Sequence, residues 1–166
     1  MKYLAILMRK SLRWLMVISK SLFQAIRQRA QFRCEYCHYP ELLSSAPLSV
    51  DHLQPQSLGG DDSLDNLALA CRRCNERRYN FMTGIDPITQ IEIQLFNPRH
   101  QNWSDHFVWS VDCLRVIGTT EIGRATCNRL DLNDEKREEP FIQNARRQWL
   151  ISRLHPSNDD PKEMTD

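Results

Sequence analysis

The chain has 166 residues, 41% of them hydrophobic and 26% charged, with a net charge of +1. Those proportions exclude a disordered or fibrous chain and suit one globular domain of ordinary size. The near-neutral total hides an asymmetry: residues 1–34 hold eight Lys or Arg and no acid, whereas the remainder holds fourteen basic and twenty-one acidic side chains. An anionic partner near the N-terminal part is one reading of this, and a solvated basic helix is the plainer one.

In chain order, residues 1–23 are rich in Leu, Ile and Met but interrupted by Arg9, Lys10, Arg13 and Lys20. The uncharged stretches between those charges are too short to span a bilayer, and a clean signal-peptide pattern is missing. The expectation is a basic amphipathic helix, or an extension ahead of the true start, on a cytoplasmic protein without an integral membrane span. Residues 24–32 read as the end of a helix, with Ala25, Ile26 and Ala30 near helical spacing. Pro40 and Pro47 then bracket a loop, residues 48–52 read as a short strand, and residues 54–62 form a polar loop with Pro55, Gly59 and Gly60. A second short strand over 67–70 leads into an Arg-rich helix from Cys71 to about Phe81. Beyond Asp86, residues 91–96, 107–111 and 114–117 look like strands, and 121–130 and 140–154 look like helices. The polar tail from Pro156 is expected to fray.

Four of the six cysteines form two pairs, Cys34-x-x-Cys37 and Cys71-x-x-Cys74. A C-x-x-C turn aims two thiolates at one point, and two such turns supply the four ligands of a closed tetrahedral zinc site. Thirty-three residues separate Cys37 from Cys71. A strand–loop–strand unit must therefore fold between them, and Zn²⁺ would tie its ends together in a structural role. Cys113 and Cys127 read as ordinary buried thiols and His38 as a surface residue.

Within or beside that span lie Asp51-His52, Gly59-Gly60, Asn66-Leu67 and Cys71-Arg72-Arg73-Cys74-Asn75. His52 precedes Asn66 by fourteen positions, and Asn66 precedes Asn75 by nine. Together with Cys34-Glu35-Tyr36-Cys37, this set closely resembles the HNH endonuclease family over about fifty residues. Phe96-Asn97-Pro98-Arg99, Trp103, His106-Phe107 and Gly123-Arg124-Ala125-Thr126 more loosely resemble a C-terminal region of some bacterial, notably cyanobacterial, members.

The resemblance implies an α+β fold: a ββα-metal (His-Me finger) core stapled by the four-cysteine zinc site, with a small C-terminal α/β extension. It implies a nuclease core over residues 24–86, an extension over 87–155 and a tail over 156–166. Carried over residue by residue, His52 would be the general base, and Asn66 would orient its ring and brace the loop. Asp51 and Asn75 would hold a catalytic divalent ion. A carboxylate and an amide oxygen are hard ligands, which favours Mg²⁺ or Mn²⁺ there. A neutral imidazole suits deprotonation of water near neutral pH, and the metal would offset phosphate charge. The products would carry 5′-phosphate and 3′-hydroxyl ends.

Successive strand residues face opposite ways, so placing Asp51 and His52 in one site requires the strand to end, bulge or twist there. Arg72, Arg73, Arg77 and Arg78 on the Asn75 helix are candidate phosphate contacts. The expected substrate is nucleic acid, DNA before RNA. The alternatives are a catalytically inactive zinc-containing nucleic-acid-binding module and a zinc-stabilised protein-interaction domain. Specificity and oligomeric state leave no mark in the sequence.

Overall fold

The computed structural model describes residues 18–136 and 141–164. Most of the expected N-terminal basic helix, residues 1–17, falls outside the described residues. The first described helix, α1 (Lys20–Arg29), starts at Ser19, whose hydroxyl accepts from the Leu22 N–H at 3.2 Å. That N-cap satisfies one orphan donor of the first turn. α1 buries Ile26 and packs on β2 (Leu67–Ala70).

β2 pairs antiparallel with β1 (Ser49–His52) in an unbroken register from Ser49 opposite Ala70 to His52 opposite Leu67. All four residues of β2 are buried, because α1 covers one side and the chain around the first cysteine pair lies against the other. Glu35 stitches that chain down: its N–H donates to the Leu69 carbonyl at 2.8 Å, and its Oε2 accepts from the Leu69 N–H at 2.7 Å. Helix α2 (Arg72–Arg78) follows β2 directly, so the expected order of strand, loop, strand, helix holds. The helix ends three residues earlier than the sequence suggests. Tyr79 takes φ 49°, which ends it at Arg78.

The remaining chain folds against this unit. β3 (Thr83–Ile85) pairs with β4 (Glu92–Gln94), so one hairpin spans the division expected after Asp86. β5 (Phe107–Trp109) pairs with β6 (Val116–Gly118). Helix α3 (Glu121–Leu130) lies against both hairpins and against α2. It approaches so closely that a Cβ on Gly123 would sit 2.1 Å from the His106 carbonyl oxygen. Helix α4 (Phe141–Ile151) buries Ile142, Arg146 and Trp149. The fold is thus α+β, with three two-stranded antiparallel sheets among the described residues.

Stacked aromatics form the contact between the two parts. Trp103 lies 5.1 Å from Phe107 and 5.7 Å from Trp109 by ring centroids. Its indole N–H donates to the Tyr36 carbonyl at 3.0 Å.

Two expectations fail here for one reason. His38 is not a free surface residue: its ring lies 4.3 Å from that of Trp103 and its Nδ1 is 2.9 Å from Asp160. Nor does the tail fray over its described part. Asp160 also accepts from the Trp109 indole at 3.0 Å, and Trp109 exchanges backbone bonds with Pro161 and Glu163. A tail carboxylate satisfies donors that the aromatic layer would otherwise bury unpaired. No described helix is long and apolar enough to cross a membrane.

Candidate active site and metal centre

The four paired cysteines meet. Cys34 and Cys37 flank the turn after α1, and Cys71 caps α2, with Cys74 in its first turn. Their sulfurs lie within 4.8 Å of one another, all in buried residues. In a tetrahedral zinc–thiolate centre with bonds of about 2.3 Å, the sulfurs stand about 3.8 Å apart. The Cys37 and Cys71 sulfurs are 3.7 Å apart. The cluster therefore has the donors and the spacing of a closed tetrahedral metal site. Burial, followed by hydrogen bonds with Cys37 and Cys71, pushes Cys34 up, whereas hydrogen bonds with the three neighbouring thiols hold Cys37 well down. Cys113 and Cys127 lie apart from this cluster, and burial pushes Cys127 up to about 12, which keeps it an unreactive thiol.

At the far end of β1, Asp51 and His52 take opposite faces, and the strand ends at His52 without a bulge. Asp51 is turned inward and is only 5% exposed. Its Oδ2 accepts from the Tyr36 hydroxyl at 2.6 Å and stands 3.2 Å from Arg78 Nη1. Burial pushes the Asp51 carboxyl above its usual range, against the charge of Arg78 and the Tyr36 hydrogen bond. Tyr36 is pushed far upward by its own burial and by Asp51, so it stays a donor.

Arg78 is 3% exposed and lies under the strand end. It donates to the His52 carbonyl at 2.8 Å and to the Leu53 carbonyl. Three positions earlier, Asn75 lies on the same helix face. No hydrogen bond engages the Asn75 side chain among the described contacts, and Asp51 Oδ1 has only a long 3.3 Å contact to Arg78. Asp51 Oδ1 and the Asn75 amide oxygen are thus left without a short hydrogen bond among the described residues, but the Arg78 guanidinium already stands beside the carboxylate.

His52 faces the β1–β2 loop instead. Its Nε2 lies 2.6 Å from Asp62 Oδ1, a partner that carries no local sequence signal. Asn66 bonds within the loop: its Oδ1 accepts from the Gln54 N–H at 2.8 Å, and its Nδ2 donates to the carbonyls of Gln54 at 3.1 Å and Asp61 at 2.8 Å. No bond joins the Asn66 side chain to the His52 ring among the described residues, and both of its amide protons go to loop carbonyls.

The arginine cluster is also rearranged. Arg72 alone of the four faces solvent, 87% exposed, with a 2.6 Å surface pair to Glu76. Arg73 and Arg77 bind the buried carboxylates of Asp134 and Asp131. Arg78 serves the strand end. The partners of Arg73, Arg77 and Arg78 lie 25 to 61 positions away in sequence, so spacing could not reveal them. Tyr79 is 66% exposed, whereas Trp103, Trp109 and Phe107 are buried.

Compared with known proteins, residues 34–81 match the family model described as HNH endonuclease. That segment runs from the first cysteine of the metal cluster to just past α2. No curated protein and no solved structure matches the chain.

Proposed function

We propose, from the HNH endonuclease domain that residues 34–81 form, that the protein hydrolyses phosphodiester bonds in DNA with His52 as general base. The arrangement at the end of β1 carries this reading. There the imidazole reaches the loop side, and the neighbouring carboxylate faces the helix that holds an unengaged amide. His52 takes a proton from water, the resulting hydroxide attacks phosphorus, and the bond to the 3′ oxygen breaks. The leaving oxygen takes its proton from solvent. Asp51 and Asn75 would hold Mg²⁺ or Mn²⁺, which when bound offsets charge on the phosphate and the leaving oxygen. Cys34, Cys37, Cys71 and Cys74 would hold structural Zn²⁺ without an open position. Asn66 keeps the loop in place under the site. Arg72 is the exposed phosphate contact; Arg73 and Arg77 join it only when their carboxylate partners let go.

One observation favours the second reading, an inactive nucleic-acid-binding module. The Arg78 guanidinium stands beside Asp51, where it offsets the charge a divalent ion would offset. Plasmid DNA incubated with the protein and Mg²⁺ or Mn²⁺, beside His52→Ala, separates the two. A general base contributes about 10²–10⁴-fold, so the nuclease reading expects wild-type cleavage and a loss of that size in the variant. Circular dichroism should be unchanged. Salt-sensitive binding without cleavage in either metal would establish the second reading instead.

A further inference from the structure

The loop between β1 and β2 is built to return on itself. Its base is closed by the Leu53 N–H to the Asn66 carbonyl at 2.8 Å and by the three side-chain bonds of Asn66. Gly60 is the crossing point. A Cβ there would sit 1.8 Å from the Gln54 carbonyl oxygen, a backbone atom that cannot yield, so no larger residue allows the crossing. The crossing carries Asp61 and Asp62 back over the end of β1. Asp62 arrives beside His52 with both side chains half-buried and Oδ1 2.6 Å from Nε2. Gln56 Nε2 donates to the same oxygen at 3.0 Å and holds the carboxylate from its other side.

A carboxylate is an acceptor only, so the nitrogen it binds must carry the proton. The proton on Nε2 leaves Nδ1 with the lone pair. Asn66, the residue that family resemblance would credit with aligning the ring, makes its side-chain bonds to Gln54 and Asp61 instead.

We infer that Asp62 is the positioning residue of the general base: it fixes His52 in the Nε2–H tautomer and presents Nδ1 to the attacking water. In catalysis the water proton passes to Nδ1 while Nε2–H stays bonded to Asp62, so Asp62 itself exchanges no proton with substrate. The catalytic half of this inference rests on the nuclease reading above. The tautomer half rests on the loop alone.

The test uses the full chain with its metal cluster intact. Long-range ¹H–¹⁵N NMR reads the tautomer of each of the five histidines, and His52→Ala assigns the His52 signals. Wild type should show His52 as Nε2–H. Asp62→Asn, whose amide can turn a donor toward Nε2, should move it to Nδ1–H or a mixture. The same variant should lower kcat by roughly 10²- to 10³-fold with KM within about threefold, as expected of a misplaced base. Asp62→Glu, which restores an acceptor, should recover part of kcat and the Nε2–H signal. Should Asp62→Asn leave His52 as Nε2–H, or raise KM with kcat unchanged, the positioning role is wrong. If wild type cleaves nothing in either metal but the tautomer follows Asp62 as described, the nuclease reading falls and the orienting contact stands.

Discussion

Arg78 shows how much one side chain can decide. Its guanidinium meets the Asp51 carboxylate and the carbonyls of His52 and Leu53, all while buried. A planar fork with several fixed donors can serve three acceptors at once, which a lysine ammonium on a flexible stem does less well. Removing one partner of a buried pair leaves the other charge unmatched, at a cost of about 3–5 kcal/mol. Arg78→Met should therefore destabilise the fold by an amount of that order in urea unfolding. Arg78→Lys should lose less, because it keeps the charge near Asp51 but not the full set of carbonyl contacts. A variant Arg78→Met as stable as wild type would show that the contacts contribute little. The same geometry explains why Arg78 is a poor phosphate ligand: its donors already point inward.

Among elements, the contact between α2 and the turn after α3 has the clearest consequence. Asp131 ends α3 in the left-handed conformation and Asp134 follows it, both buried and both bound to arginines of α2. Asp134 Oδ2 also accepts from the Ile142 N–H at 2.8 Å, so it ties down the start of α4 as well. The extension thereby neutralises a basic face of the helix that carries Asn75. Replacing both acids by Asn should lower the melting temperature. It should also leave Arg73 and Arg77 free to meet phosphate. Each added phosphate contact steepens the log–log salt dependence of duplex binding by about 0.9. Affinity measured across a salt series should therefore gain up to two such increments in the double variant, and an unchanged slope would show that these arginines never reach nucleic acid.

At the scale of the whole molecule, the C-terminal residues close the aromatic layer through His155. Its ring packs edge-on to Trp109 at 4.3 Å and Trp149 at 5.4 Å, and its Nε2 is 2.8 Å from the Cys113 carbonyl. Nδ1 is buried without a partner. Burial, seconded by the nearby Arg146, pushes the imidazole from 6.5 down to about 4, so it is neutral in the fold. An unfolded chain takes up the proton first. The resulting stability is complete above pH 6.5, declines as pH falls and is gone below about 4. Its size is on the order of 3 kcal/mol. Unfolding midpoints measured across that window at fixed zinc should fall with acidification, and the slope should flatten in His155→Phe. Equal slopes in the two proteins would remove His155 as the cause.

Local signals reached a long way into this protein. Cys34, Cys37, Cys71 and Cys74 announced a cluster that could hold a metal because thiolate geometry depends on a two-residue gap that spacing displays directly. Helix α3 and strand β2 were legible end to end, since apolar periodicity and run length report which face is covered. The residues at the end of β1 were legible as candidates from their spacing. What holds them was not. Asp62 reaches His52 only because Gly60 lets the loop cross itself, Arg78 reaches Asp51 from another element, and Asp131 and Asp134 come from more than fifty positions away to take Arg73 and Arg77. Those pairings depend on where separate elements come to rest, and charge or amide chemistry alone does not say which partner will be near. Composition and spacing determined the four-cysteine cluster and the candidate base. Only the packing of the extension and the loop decided which arginines stay free and which carboxylate holds the ring.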